Sequence, residues 1–477
     1  MANNKVQLSD GTVLLDLTGD TVTPENLLSG VTAHNAAGNR IVGIGVGIKL
    51  TGIAITTPPT KTTYNAGETF DSAGMVVTAT YSNGATLTSP SYTFSPAGAL
   101  TAGDTAITIT YTENGVTKTA TQAITVKAIT VKAIYGAIWD GTATTAWSRT
   151  DDAAGFADPV AAVNNGNGSS PFDSCMPWSG MEIVDDATCG KLVKIPKYWY
   201  RWTKTGNQMK LQISDAAQAG FLVSPAHADR GDGKGERDYV YVGRYHCART
   251  YKSTSGVKPV GNITRAAARS SIHALGSDVW QYDFAMYWTI MMLYLVEYAD
   301  WNSQTKIGYG CGNNSGTENM GATDAMPYHT GTTAASRTTY AAGIQYRHIE
   351  GLWSNVYDWC DGIYFSGANV YAIKNPASFS DTSGGTNIGT RPTSSNWISA
   401  WSIPSVSGFE YALYPSEVAG SENTYVCDYY YYGASGVVLR VGGIFFQGQQ
   451  SGAFFLGGNS EASDADTLLG CRLQKLP

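Results

Sequence analysis

Between residues 49 and 128 the chain alternates apolar and hydroxyl-bearing side chains in short runs. Met75-Val76-Val77-Thr78-Ala79-Thr80-Tyr81 and Ile107-Thr108-Ile109-Thr110-Tyr111 place an apolar residue at every second position, the period of a strand with one buried face. Turn residues separate the runs: Pro58-Pro59, Ser82-Asn83-Gly84 and Glu113-Asn114-Gly115, the last predicting a tight hairpin. An all-β sandwich is expected here. Helical spacing appears twice further on. Residues 263–275 contain Thr264-Arg265-Ala266-Ala267-Ala268-Arg269 and stop at Gly276, a C-terminal cap signal. Residues 283–299 carry Phe284, Tyr287, Trp288, Met291, Met292 and Leu295 on one face. The apolar stretch 284–296 is too short to span a bilayer and reads as a buried core helix. Near the start, Thr23-Pro24-Glu25-Asn26-Leu27-Leu28 has the cap, proline and acid of a helix beginning. Gly38-Asn39-Arg40 then turns into the apolar run 41–48, so residues 1–48 are expected to form a small α/β unit.

Composition separates the remainder. All twelve tryptophans, all seven cysteines and most tyrosines lie beyond residue 133. Two helices followed by a Gly- and Trp-rich series of short strands predict an α+β domain over 129–477, with 310–340 and 375–396 as insertions. A duplicated segment, Ala123-Ile124-Thr125-Val126-Lys127 and Ala128-Ile129-Thr130-Val131-Lys132, reads as the last sandwich strand running into an extended linker. The chain is thus multidomain: 1–48, 49–128 and 129–477.

Charge narrows the function classes. Only 14% of residues are charged, the net charge is -7, and no basic run occurs, which argues against nucleic acid as a partner. The cysteines (175, 189, 247, 311, 360, 427 and 471) are odd in number and far apart, with no C-x-x-C pair. Buried free thiols are expected, not a zinc site or a disulfide framework. The opening Met1-Ala2-Asn3-Asn4-Lys5 has no secretory signal. The run Gly43-Ile44-Gly45-Val46-Gly47 lacks the strand, helix and acid of a dinucleotide loop. No H-E-x-x-H, Walker loop or G-x-S-x-G elbow is present. His348 beside Glu350 lacks a third partner, and Asp185-Asp186 and Asp464/Asp466 would serve a glycosidase only in the right geometry. No cofactor is expected; a structural calcium held by loop carbonyls and Asp side chains stays open.

Three segments carry resemblances. Residues 49–128, with no Cys, His or Trp, look like a bacterial immunoglobulin-like domain, which implies a spacer. The Thr23–Gly38 region is similar to N-terminal pieces of phage tail and fibre proteins, which implies attachment to the virion or trimer formation. At the C-terminus, Leu439-Arg440-Val441-Gly442-Gly443, Gly452-Ala453-Phe454 and Gly470-Cys471-Arg472-Leu473 frame positions of varied chemistry. This frame, over about 438–473, resembles the variable region of the targets of diversity-generating retroelements, the major tropism determinant-like proteins, which lie on a C-type lectin-like fold. Glu350-Gly351-Leu352-Trp353-Ser354-Asn355-Val356-Tyr357-Asp358-Trp359-Cys360-Asp361-Gly362 is similar to the Gly-x-Val-x-Glu-Trp core of the formylglycine-generating-enzyme branch of that fold. Aromatics at 353, 357 and 359 suit a strand burying one face. The branch's oxidase needs a reactive cysteine pair near the C-terminus, a pattern that Cys427 and Cys471 do not reproduce. The calcium-dependent lectin motifs Glu-Pro-Asn, Gln-Pro-Asp and Trp-Asn-Asp are absent.

The resemblance implies a ligand-binding patch at Ile444, Phe446, Gln447, Gln449, Gln450, Phe455, Gly457, Ser460, Asp464, Asp466 and Leu468, where template asparagines commonly sit. Adenine-directed change converts an Asn codon to Ile, Phe, Ser, Asp, Gly or Leu; the three glutamines fall outside that rule. Ile444-Phe445-Phe446 and Phe454-Phe455 are expected as exposed aromatic anchors, with some of Tyr429-Tyr430-Tyr431-Tyr432 bordering them or buried and hydrogen-bonded. The implied function is a non-enzymatic, phage tail-associated receptor-binding protein. It would be made in the host cytoplasm, carried on the virion as a homotrimer beside other tail proteins, and bind a host surface protein or glycan without inserting in the membrane. The alternatives are a structural virion decoration protein and a formylglycine-generating-type oxidase.

Overall fold

Asn114 and Gly115 turn the chain with positive φ of 48° and 78°, the geometry of a two-residue hairpin whose twist matches its strands. They join Ala106–Glu113 to Val116–Ala123 in unbroken antiparallel register from Ala106↔Ala123 to Glu113↔Val116. Thr93–Ser95 completes that sheet, and Leu50–Thr57, Val76–Tyr81 and Thr86–Thr88 form a second. The inward positions close a core of Tyr64, Phe70, Val77, Leu100, Ile107 and Ile109. The alternation read at 107–111 is therefore the burial pattern observed.

The structure, a computed structural model, describes residues 3–45, 47–127, 134–340 and 343–477. The chain divides into two compact units, Met1–Ile129 and Thr130–Pro477. The linker expected at 128–132 lies outside the described residues.

Residues 3–45 contain two strand pairs, Lys5–Gln7 with Val13–Asp16 and Thr32–His34 with Arg40–Val42. The α/β expectation for this segment fails, because 23–28 forms turns and no helix. The Pro24 carbonyl accepts from Ile44 and Gly45, and the Leu27 carbonyl also accepts from Gly45. The oxygens that would build a first helical turn are already taken by another segment.

In the second unit both predicted helices form. Helix α1, Arg265–His273, starts at Thr264, whose side chain accepts from the Ala267 N–H; it ends before Gly276. Helix α2, Phe284–Tyr298, is capped by Asp283 and closed by Ala299 in the left-handed region. Every residue of α2 is buried, so it is enclosed on all sides and not merely along the predicted face.

Around α2 stands the largest sheet, eight strands in all. Its centre consists of β1 (Tyr357–Ser366), β2 (Asn369–Ala372), β3 (Tyr429–Tyr432), β4 (Val438–Val441) and β5 (Leu456–Ser460), in the spatial order β2-β1-β4-β5-β3. Strand β1 is buried from Tyr357 to Phe365. Tyr357 and Trp359 enter one hydrophobic cluster and Cys360 and Ile363 another, so this strand buries both faces, where one was expected. The insertion 375–396 contributes Thr386–Thr390 to the sheet edge, and 310–340 carries only the short strand Gly331–Thr332. A separate five-stranded sheet holds Leu473–Lys475 between Tyr239–Gly243 and Val279–Gln281. The described residues are mostly β, and no helix among them is long and apolar enough to cross a membrane.

Candidate functional site

Three residues of the C-terminal frame, Arg472, Phe454 and Gly452, are tied into the core. Arg472 is fully buried and donates to the carbonyls of Gly243, Arg244, Glu350 and Gly351 at 2.9–3.1 Å. Its Nε donates to Asp358 at 3.2 Å, and the other Asp358 oxygen accepts from His246 Nδ1 at 2.9 Å. Burial alone would raise the Asp358 pKa; the His246 and Arg472 side chains outweigh it and hold the carboxyl below the usual range. One guanidinium thus ties the end of the frame to the 350–362 motif. Phe454 is likewise buried among Trp288, Tyr294, Trp301 and Trp401, with ring centroids 4.8–6.4 Å away. Its backbone N–H donates to the buried Asp428 carboxyl at 2.7 Å. Burial pushes that carboxyl well above its ordinary value. A Cβ at Gly452 would lie 2.0 and 2.3 Å from the two Asp428 oxygens, so no side chain fits there.

The Gly442-Gly443 pair, with φ of 88° and 81°, turns the chain out of β4 into a loop over 444–451. Neighbouring segments hold this loop. Asn314 donates to the Phe445 carbonyl at 2.7 Å, Gly448 to Gly312 at 2.7 Å, and Gln304 to the Gly448 carbonyl at 3.0 Å. Gln449 reaches the Tyr309 hydroxyl at 3.4 Å, and Tyr431 donates to Gln450 at 2.9 Å. Aromatic contacts extend the surface: Tyr431 to Tyr429 at 4.7 Å, Tyr429 to Trp397 at 5.4 Å, and Tyr309 to Tyr340 at 4.9 Å. These five rings are half-buried.

The eleven positions inferred from the frame divide into two sets. Phe446 is 56% exposed, Asp466 is exposed, and Gln447, Gln449, Gln450, Asp464 and Leu468 reach the surface in part. Ile444, Phe455, Gly457 and Ser460 do not, which corrects the expectation of a continuous exposed patch. Ile444 pairs with Asn355 as a β-bridge and packs in the core. Phe455 stacks on Tyr357 at 5.5 Å. The Arg440 side chain crosses Gly457, its Nε 2.6 Å from where a Cβ would stand. Ser460 is 1% exposed and accepts from the same arginine at 2.9 Å. Phe454 and Phe455 are therefore core residues and not exposed anchors. Asp464 and Asp466 accept from the backbone N–H groups of Glu461 and Leu468, at 3.0 and 2.7 Å, and so close turns. Tyr309, Tyr340 and Trp397 were missed, because nothing local marks them as neighbours of a surface built from segments that lie more than thirty residues further along the chain.

The remaining chemistry is structural too. Glu350 accepts from Gly321 and Thr323 N–H groups at 2.7 and 2.9 Å, and His348 sits in the turn beside it with φ of 71°. Asp185 and Asp186 pair with Lys191 and Lys475. All seven cysteines are buried, and none of them forms a disulfide among the described residues. Burial pushes the thiols of Cys189 and Cys311 up to about 12 and those of Cys360 and Cys427 further. Among the described residues no three His, Cys, Asp or Glu side chains are grouped to hold a metal ion.

Comparison with known families bears on the first unit. Residues 57–126 match the bacterial Ig-like domain (group 3) family. This segment is a bacterial immunoglobulin-like domain. The match begins at Thr57, the last residue of Leu50–Thr57, and ends within Thr125–Lys127, so it covers the two-sheet body described above except for most of that first strand. It contains no Cys, His or Trp. No curated protein matches the chain.

Proposed function

We propose that the chain is a phage receptor-binding protein, in which a C-type lectin-like domain presents a diversified patch and the immunoglobulin-like domain serves as spacer. The observation that carries this reading is the contrast within 438–473. Arg472, Phe454 and Gly452 are locked into the core, while Phe446, Gln447, Gln449 and Gln450 reach solvent on a loop held by neighbouring segments, and Asp466 reaches solvent in a turn beyond β5. A fixed frame under changeable side chains is what a surface must have if it is to acquire new ligands without unfolding. The rim of half-buried tyrosines adds contact area at small entropic cost. High thiol pKa values and turn-closing carboxylates favour binding over catalysis. Display on a virion as a trimer beside other tail proteins would multiply weak single contacts.

The test is competition for host cells. Full-length protein should block adsorption of the parent phage, and Phe446→Ala with Gln449→Ala should abolish the block while leaving thermal stability unchanged. Equal blocking by wild type and double variant would end this reading of the patch. Sequencing the 3′ end of the gene in a replicating population tests diversification. Variation is expected at 446, 447, 449, 450, 464, 466 and 468, with 440, 454 and 472 constant.

A further inference from the structure

A second concavity lies within Thr130–Pro477 and shares no residue with the patch. It is a cleft of about 320 Å³ whose walls include Tyr200, Phe221, Leu222, Glu410 and Tyr411. Two features set it apart from a packing defect. Tyr200 and Tyr411 are only 2% and 6% exposed, yet neither hydroxyl has a hydrogen-bond partner among the described residues; the enclosed hydroxyls of Tyr282, Tyr294 and Tyr298 share that lack, but none of them lines the cleft. Buried phenols are normally paired, since an unpaired hydroxyl loses its water without replacement. Here the cleft they line is where a partner would sit. Charged groups are also held in place around it. Glu410 accepts from the Gly408 N–H at 2.7 Å, and the Lys374 ammonium lies 5.2 Å over the Phe409 ring. Arg230, also on the wall, donates through Nη2 to Asp283 at 2.8 Å and through Nε to the Lys374 carbonyl at 2.7 Å, while its buried Nη1 has no partner.

We propose that this cleft binds a single pyranose unit that carries no acidic group. The volume is at the lower limit of small-molecule sites and suits one ring. The two phenols both donate and accept, Glu410 accepts and Lys374 donates, which answers several neutral hydroxyls at once. The Phe221 and Leu222 side chains offer an apolar wall for the C–H face of a sugar. Charge selects against acids: Arg230 is paired with Asp283 and Glu236 with Lys197, which leaves Asp229 and Glu410 against the single cation Lys374 among the lining residues. This site is independent of the patch reading, since none of its residues lies beyond 411.

The experiment uses the full-length protein and saturation-transfer NMR with the methyl glycosides of glucose, galactose, mannose and N-acetylglucosamine, and glucuronic acid as the charged comparator. At least one neutral glycoside should bind saturably, and Tyr200→Phe and Tyr411→Phe should each weaken it by about five- to tenfold, the effect of one hydrogen bond. Both variants keep the ring and delete only an unpaired hydroxyl, so the melting temperature should hold or rise slightly. Absence of binding by all four glycosides, binding unchanged in both phenylalanine variants, or equal binding of glucuronic acid would each overturn the proposal. A melting temperature several degrees lower in either variant would do so too, by showing that its hydroxyl already has a protein partner.

Discussion

Replacing Arg472 by Met keeps most of the side-chain volume and removes only the guanidinium. Four carbonyls, of Gly243, Arg244, Glu350 and Gly351, then lose a donor, and the Asp358 carboxylate, 3% exposed, keeps only His246. Breaking a buried ion pair from one side costs about 3–5 kcal/mol, because the remaining charge stays buried. For a unit of this size about 2 °C is lost per kcal/mol, so the melting temperature should fall by about 6–10 °C. Tryptophan fluorescence isolates the event, since all twelve tryptophans lie in the second unit. The sign of the pH dependence follows from the depressed Asp358 pKa. Its stabilisation is complete above the ordinary carboxylate range and is lost as pH falls through the folded value. Without Arg472 that value rises, so acid unfolding should begin at higher pH. A loss under about 1 kcal/mol, or an unmoved acid transition, would refute the assignment of Arg472 as the clamp between frame and core.

Gly452→Ala should destabilise the second unit by about 1–3 kcal/mol, the cost of forcing a methyl into an occupied site, against Asp428 oxygens 2.0 and 2.3 Å away; urea unfolding by fluorescence measures it. Phe455→Ala should cost about 3–5 kcal/mol, whereas Phe446→Ala should stay within about 0.5 kcal/mol because that ring is 56% exposed; parallel melts decide whether the two adjacent-looking aromatics differ as described. Burial, aided by nearby positive groups, depresses His348 to about 3 and His227 to about 4. Their stabilisation is complete above the ordinary value of 6.5 and is lost as pH falls toward those folded values. Melting temperature should therefore decline from pH 7 to pH 4, and His348→Asn, which suits a φ of 71°, should flatten part of that slope.

The elements legible in the sequence are those specified by neighbours along the chain. Asn114-Gly115 dictates its own turn, and Thr264 and Asp283 cap helices three residues ahead of the bonds they accept. The signal at Thr23-Pro24-Glu25 is equally local, yet Gly45 and Ile44 take the carbonyls it needed. The patch was half legible for a related reason. Ile444, Phe446, Phe454 and Phe455 are alike in composition, but distant contacts decide which turn inward: Trp301 lies 4.8 Å from Phe454, and Tyr357 lies 5.5 Å from Phe455. An irregular loop has no period from which to infer a face. The cleft was invisible, since Tyr200, Phe221, Lys374 and Tyr411 come from separate segments and only the fold assembles them.

The strand Leu473–Lys475 lies inside its sheet, flanked by partners formed more than 190 residues earlier. During synthesis those partners leave the ribosome with a gap between them, and the gap stays open until the final strand emerges. A message that stops early or slips frame within codons 438–472 yields a chain lacking both this strand and Arg472. Such a product would present unpaired strand edges to cellular proteases instead of a finished surface. Completion of the fold thus acts as an inspection step: only an in-frame reading of residues 438–475 supplies the strand that closes this sheet.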